Sequence, residues 1–598
     1  MNQKTIRIGG ASGYWGDASL ATPQLLNGGK LDYIVYDYLA EITMSIMARA
    51  RAADAEKGYA VDFVSAAMGH NLKTIAEQGV KVIANAGGVN PRACAAAIRE
   101  LVTAQGLELK VATITGDDIL ARVSEFADKQ EMFSGEPFPP EKQMASMNAY
   151  LGAFPIAEAL NRGADIVVTG RCVDSAVTLG ACIHSFEWGR DEFDKLAQGS
   201  LAGHILECGT QATGGNFTDW ESVIDSLGEA GYPIAEISAD ASFTVTKPES
   251  TGGLVSIGTV AEQMLYEIGD PQAYLLPDVV CDFSEVELEQ TGTNQVRVTG
   301  AKGHGAPDSY KVSATWADGF RAGHVWTMYG RDAANKARLF AEQVFARSER
   351  LATMLGLGSF SETSCEVIGV ESHYGTASQV ETAREVDVKI AVKHPSPKGV
   401  GIFLKEMIGL ALTAPPGLTG FAGARAKPSP VVRLFSTLVP KDSIQIRVEM
   451  ENASIELNDP TSAPEAHPEQ HQVPPISPDD SMTEVALEQL AWARSGDKGD
   501  KANIGVIARK PDYVPWIAAA LTEARVARLF AHFLAAGQSQ PVERFYMPGP
   551  NAFNFLLHDV LGGGGIASLR SDPQGKGYSQ LLLAEMIEIP SNLAADLS

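Results

Sequence analysis

The sequence predicts an α/β protein in three units: an N-terminal unit built on a parallel sheet, a middle α+β unit and a small C-terminal α/β sandwich. Three observations carry this. Short apolar runs alternate with helical stretches over residues 1–230, alternating β-like runs replace them over 231–455, and a Pro-rich polar stretch at 456–482 precedes a last unit at 483–598. A chain of 598 residues is also too long for one core.

In the first unit, a Rossmann-like α/β domain, strands are expected at Thr5–Ile8, Tyr33–Tyr36, Val61–Val64, Val80–Ala84, Val111–Ile114 and Ile166–Val168. Most are followed by Gly, Asp or Asn and then by helix. After Ala84 the signals are clearest: Asn90 caps, Pro91 suits the first helical position, and Cys94, Ala97, Ile98 and Leu101 recur at helical spacing. A helix between two buried strands is a crossover unit, and such units build parallel sheets. Ligands then bind beyond the carboxyl ends of the strands.

In the middle unit the β-like runs are Ser242–Thr246, Gln295–Val298, Tyr310–Thr315, Val386–Val392 and Ser443–Val448, with one long helix near Ala334–Met354. The stretch 456–482 reads as a linker. The C-terminal unit restarts at Val485–Leu490, continues through Asn503–Ala508 and ends in a strand near Leu581–Ile589.

Composition excludes several functions. A formal charge of −25 argues against nucleic acid, and any anionic ligand must be caught by a local site. No run of about 18 apolar residues is present, so no membrane span is expected. The N-terminus lacks an export pattern, and the six cysteines form no CxxC pair. A cytoplasmic protein with free thiols, a homo-oligomer in assembly, is the expectation.

Six segments could carry chemistry. In GGASGYWGD, Gly9–Asp17, four glycines including Gly10, with Ser12, allow close approach to an anion; the pattern departs from a dinucleotide fingerprint, and a plain tight turn is the alternative. Asp37 ends an apolar strand with Glu41 four positions on, a pair suited to a cation or a proton, or else to a helix cap. Asn85, Gly87 and Gly88, then Gly116, Asp117 and Asp118, follow successive strands and should open on one sheet edge, forming a shared pocket or else simply capping helices.

Arg171 directly follows strand and glycine, where a permanent charge needs an anionic partner. Either Asp174 is that partner, or Asp174 caps the next helix and leaves Arg171 to the substrate. His204, Glu207 and Cys208 precede a glycine-rich loop that includes Asn216, giving a nucleophile and base or an inert packed thiol. Finally Arg494, Ser495, Asp497, Lys498, Asp500 and Lys501 crowd one loop, with Asn551 and the Gly562–Gly565 run expected nearby; a solvated hairpin whose charges neutralise each other is the alternative. Isolated histidines show no metal spacing, so a divalent metal is possible without a signature, and no cofactor is assigned.

Taken together, IGGASGYWGD, YDYLAE, NAGGVNP, TGDD, TGRCVDSA and ECGTQATGGNF resemble the acyclic terpene utilisation A family, and ARSGDKGDKANIG resembles the small C-terminal domain that accompanies it. The resemblance implies catabolism of citronellol- or geraniol-like acids as CoA thioesters, alongside biotin-dependent acyl-CoA carboxylases. It implies lyase or hydratase chemistry on a branched 3-hydroxyglutaryl-CoA-type substrate, although it transfers no established catalytic residue. The metal signature of hydroxymethylglutaryl-CoA lyases is missing. On this reading Arg171 and the glycine loops hold the substrate, and Asp117, Asp174 or Glu207 moves a proton. The alternatives are a thiol-dependent acyl or CoA transferase using Cys208, and a non-catalytic partner of a carboxylase.

Overall fold

Five parallel strands form the spine of the computed structural model: β1 (Thr5–Gly10), β2 (Tyr33–Tyr36), β3 (Lys81–Ala84), β4 (Val111–Thr115) and β6 (Ile166–Thr169). They lie in the order β1-β2-β3-β6-β4, every neighbouring pair parallel. The structure describes residues 4–421, 423, 425–451, 453–462, 470–476, 481–565 and 567–597. Each spine strand is almost wholly buried, as a sheet covered by helices on both faces requires. The crossover after β3 is α4 (Pro91–Ala104), with Asn90 accepting from the Ala93 amide and Cys94 and Ile98 buried.

One expected strand is a helix. Val61–Val64 lies in a helical stretch, Phe63–Met68, that runs into α3 (Gly69–Gln78). Phe63, Val64, Ala67, Met68, Leu72 and Ile75 are buried, a helical rather than alternating spacing, and Phe63 packs edge-on against Tyr36 and Tyr38. A four-residue apolar run is too short to tell the two apart.

The sheet does not end at residue 230. β7 (Ile234–Ser238) pairs antiparallel with β1, β8 (Phe243–Thr246) follows it, and the hairpin Glu287–Gly292/Gln295–Thr299 completes that edge. At the other edge Ile446–Met450 pairs with β4 and Ala453–Leu457 closes the sheet, so the start of the expected linker at 456 is still strand. Among the described residues, eleven strands form this one sheet.

The middle unit proper rests on a long strand, Ser309–Tyr329, which pairs with Glu385–His394 and Ser429–Pro440. It also takes β5 (Met144–Ala149) from the N-terminal stretch, so the two units share strands in both directions. The expected long helix is Ala333–Met354. Residues 463–469 and 477–480 of the expected linker lie outside the described residues. Its described start is anchored: Asp459 is buried, accepting the Gly152 amide at 3.0 Å and the Tyr310 hydroxyl at 2.8 Å.

The C-terminal unit is a four-stranded antiparallel sheet, Ala491–Lys498, Lys501–Ala508, Ala552–Leu557 and Val542–Met547 in that order, backed by short helices. The expected last strand at 581–589 divides into a helix, Tyr578–Leu583, and a strand, Met586–Pro590. Two buried asparagines dock this unit on the segment after α8 (Ile257–Leu265). Asn503 accepts the Glu267 amide at 2.9 Å and donates to the Leu265 carbonyl at 2.6 Å, while Asn554 donates to the carbonyls of Ile268 and Gly269. Replacing a buried donor so that its acceptors go unpaired costs about 1–3 kcal/mol. Asn554→Leu is therefore expected to lower the unfolding free energy of the full chain, read from urea melts, by an amount in that range; an unchanged free energy would show that the seam carries little energy.

Candidate active site

Because the five spine strands run in one direction, the loops after them open on one rim. That rim carries Ser12, Asp37, Asn85, Asp117 and Arg171. The order of construction is visible in the hydrogen bonds. Ser12 Oγ donates to the Asp37 carbonyl at 2.9 Å, Asn85 Nδ2 donates to the Asp37 carboxylate, and Asn85 Oδ1 accepts the Tyr38 amide at 2.8 Å. Asp117 Oδ2 accepts both the Arg171 amide and Asn148 Nδ2 at 2.8 Å. Asp117 thus fixes the backbone from which Arg171 projects.

Arg171 is 3 % exposed. Its Nη1 donates to Asp174 Oδ1 at 2.5 Å and to the Cys172 carbonyl at 2.6 Å, and its guanidinium lies 4.0 Å from the Tyr150 ring centroid. Of the two roles weighed for Asp174, the ion pair is the one the fold adopts; the Asp174 side chain makes no cap on α6 (Ala176–Phe186). Arg171 Nε is buried with no hydrogen-bond partner among the described residues. Burial works against the charge, yet Asp174, Tyr150, Glu41 and Asp37 together hold it well above the ordinary arginine value.

Four further elements reach this rim from elsewhere. The Tyr150 hydroxyl donates to Glu41 Oε1 at 2.9 Å, and Lys311 Nζ, from the long strand, is 3.8 Å from the same carboxylate. The end of α7 (Phe193–Leu206) presents His204 and Glu207, 2.9 Å apart. From the C-terminal hairpin, Lys498 comes to 6.0 Å from the Tyr274 ring centroid, and Tyr274 in turn packs on His204.

The charges are unevenly titrated. Burial, then Asp174, pushes Asp37 well above the carboxylate range, and burial likewise raises Glu207 despite His204 beside it. Burial would raise Glu41 too, but Lys311 and Arg171 outweigh it and hold it at about 2. Tyr274 is the foremost of the groups that keep Lys498 protonated against burial, with Glu267, Asp174 and Glu41 adding to it. Lys311 moves the other way, lowered by burial. Cys208 is raised by burial and by the Glu207 and Glu267 carboxylates, the reverse of what a thiolate nucleophile needs.

A cavity of about 570 Å³ opens directly outside this cluster. Glu41, Lys311 and Lys498 border it on the side of the cluster, Phe133, Phe138, Trp316 and Phe435 give it an apolar wall, and Glu131, Glu136, Arg433, Asp500, Lys501 and Asp559 add further charge around it. Glu41 also borders the small space in front of Arg171, so it stands between cavity and guanidinium.

The glycines act differently from the expectation that they cradle a ligand. A Cβ on Gly10 would sit 2.7 Å from the Leu206 carbonyl, and one on Gly87 2.6 Å from that of Thr169. Gly88 has φ +53° and lies against Met47. These positions serve close packing, bringing the end of α7 against the rim. Asn216 is drawn into the seam instead, where Arg494 donates to its carbonyl, while Ser495 is used inside the C-terminal unit, its Oγ donating to the Gly575 carbonyl. Asp497 stands beside them, 3.6 Å from Lys576 and raised to about 7 by burial and Glu267. The Gly562–Gly565 run folds onto the same hairpin, where Asp500 accepts the amides of Leu561 and Gly563.

Tyr150, Lys311, Tyr274 and Glu267 were not singled out by sequence reasoning. Lys311 carried a faint signal, one cation inside the apolar run Tyr310–Thr315. Among the described residues no group of three or more His, Cys, Asp or Glu side chains is arranged to hold a metal ion. No helix of the described residues is long and apolar enough to cross a membrane.

Burial raises Asp117 to about 7, so the folded chain keeps this proton where the unfolded chain has lost it. Folding then takes up a proton between about pH 4 and 7, and stability from this group falls as pH rises through that window. Relative to wild type, Asp117→Asn is expected to gain stability from pH 4.5 to pH 8 in urea melts; a constant offset would overturn the assignment.

Two family models match the chain. One, described as acyclic terpene utilisation family protein AtuA, covers residues 6–450, and the other, the AtuA ferredoxin-like domain, covers 485–588. Comparison with curated proteins and with solved structures gives no match. The first match crosses residue 230, as the continuous sheet does, and the second coincides with the docked C-terminal unit that supplies Lys498. The chain belongs to the acyclic terpene utilisation AtuA family, with its ferredoxin-like domain at the C-terminus.

Proposed function

We propose that the protein is an enzyme of branched acyl-CoA catabolism, a lyase or hydratase acting on a 3-hydroxyglutaryl-CoA-type thioester. The observation that carries this reading is the pairing of opposites at one spot. A cavity with an apolar wall is bordered by Lys311 and Lys498, and beside it Asp37 and Asp174 act on Arg171, with Glu207 in turn close to Asp174. A branched hydrocarbon chain suits the walls, and a carboxylate or thioester oxygen suits the cations.

Both reactions need a proton taken and a proton given. In cleavage, a base removes the hydroxyl proton, the C2–C3 bond breaks to leave a ketone, and the electron pair becomes a thioester enolate. An acid then protonates the enolate carbon. In hydration, water adds across the conjugated double bond, its oxygen to C3 and its proton to C2. A carboxyl whose proton affinity is raised by burial serves in either step, and Glu207, linked to His204 and close to Asp174, fits that role. Lys498, at the cavity, supplies the positive charge that a developing enolate requires, and Arg171 adds to it from behind Glu41.

The transferase reading through Cys208 lacks this support, since the thiol sits among carboxylates that oppose its ionisation. Purified protein incubated with branched 3-hydroxy-3-methylglutaryl-CoA analogues should release acetyl-CoA or exchange water, as read by mass spectrometry. Glu207→Gln should lower kcat about 10²–10⁴-fold, the usual worth of a general acid or base, and Cys208→Ser should retain most of the rate. Full activity in Glu207→Gln, or no turnover of any branched thioester, would remove the proposal.

A further inference from the structure

A second depression, about 530 Å³ in volume, lies on the same sheet as the cavity and has the opposite character to the chain as a whole. Its lining includes Arg321, Lys389, Lys427 and Arg570 and no carboxylate, on a chain of net charge −25. Lys389 is paired with Glu366 at 2.7 Å, and Glu366 also accepts from Ser571 at the rim. Arg321 donates to the Ser568 carbonyl at 2.8 Å, and Arg570 to those of Val560 and Phe533. Arg321, Lys427 and Arg570 have no carboxylate partner among the described residues. Arg321 and Arg570 are held in place by backbone carbonyls, the uncompensated charge of the three makes an anion site, and the Ser429 and Ser568 hydroxyls beside them suit phosphate oxygens.

The floor of this groove is flat. Gly323 and Ala391 are directly opposed across the sheet, and a Cβ on Gly323 would approach that of Ala391 to 3.0 Å. A planar group can rest where larger side chains would stand.

The groove and the cavity are joined by a strand pair. Arg321 is paired with Ser429 in the groove, and Trp316 with Arg433 in the cavity wall. Residues directly opposed in a ladder point to one face, and Ser429 and Arg433, four apart, share a face as well. The irregularity between Ala317 and Phe320 restores the alternation in the partner strand. Four residues of strand span roughly 13 Å. The glycine run bridges the same gap from above, with Gly563 on the cavity and Gly565 on the groove.

We propose that this groove binds the 3′-phosphorylated adenosine diphosphate end of a coenzyme A thioester, whose two-amide arm follows the strand pair to the carboxylate cluster. The inference rests on the reading that the cavity accepts a thioester, and it adds where the nucleotide sits. It explains how a strongly acidic chain holds a multiply phosphorylated ligand: the attraction is local, bounded by the groove.

Calorimetric titration of the full chain with free CoA and with dephospho-CoA tests it. Wild type should bind CoA at least tenfold more tightly than dephospho-CoA. Lys427→Glu and Arg321→Ala should each weaken CoA at least tenfold and shrink that preference. Lys73→Glu, the matched charge reversal on the exposed face of α3, should match wild type. CoA affinity unchanged in both groove variants overturns the inference, as does competition by inorganic phosphate at concentrations equal to CoA, which would mark a general anion site. Groove-dependent CoA binding with no thioester turned over would keep this assignment and sink the catalytic one. Turnover with groove variants that bind CoA normally would do the opposite.

Discussion

An arginine that stays charged at every accessible pH, placed almost out of reach of water, dictates most of what surrounds it. Removing a guanidinium from solvent costs several kcal/mol unless opposite charge and hydrogen bonds meet it. Arg171 is met by Asp174 in direct contact, by the π face of Tyr150, and by Glu41 and Asp37 at longer range. Those four come from the loop after β2, the helix beginning at Glu41, the segment after β5 and the loop after β6 itself. The spine strands must therefore end in register. The backbone of Arg171 is tied to Asp117 so that the side chain cannot drift. A looser rim would leave the charge unpaired, the costly alternative.

Several carboxylates around few cations cannot all be ionised together. Glu41 lies nearest Lys311 and stays an anion, whereas Asp37 and Glu207 are pushed toward the protonated form. Asp37 and Glu207 feel each other and Asp174 beside them, so their protons are shared out by the surroundings rather than set by either residue alone. Such a set can give up or accept a proton with little rearrangement when an anionic ligand enters and alters the balance. The same physics opposes ionisation of the Cys208 thiol.

The parallel spine was legible because buried parallel strands are short, apolar and followed by loop residues. Asp37, Arg171, Glu207 and Lys498 stood out as charges in places where charge is unusual. Val61–Val64 misled because four apolar residues hold less than one helical repeat of information. The division at 230 misled because composition changes there while hydrogen bonding does not: β7 continues the sheet that β1 begins. Tyr150 and Lys311 were invisible for a different reason. They meet only because the Tyr150 amide donates to the Lys311 carbonyl across a pairing of distant segments, which no local pattern encodes. The glycine loops were legible as loops, yet their bare faces turn to neighbouring backbone.

The C-terminal unit shows why docking and electrostatics are one problem here. Asn503 and Asn554 grip the backbone from Leu265 to Gly269, the same short segment that carries Glu267. The hairpin so positioned sends Lys498 to the rim and Lys576 toward Glu267 and Asp497. Without the docked unit, Glu41, Asp174 and Glu207 would face one another with Lys498 gone. Glu41 and Glu207 would then draw protons more strongly, and Glu41 would lose part of what keeps it ionised. The rim of the first unit is thus electrically incomplete by itself. The cavity thus takes Glu41 and Lys311 from the larger body of the chain and Lys498 from the docked unit, so its charge is set only when the two meet at the seam.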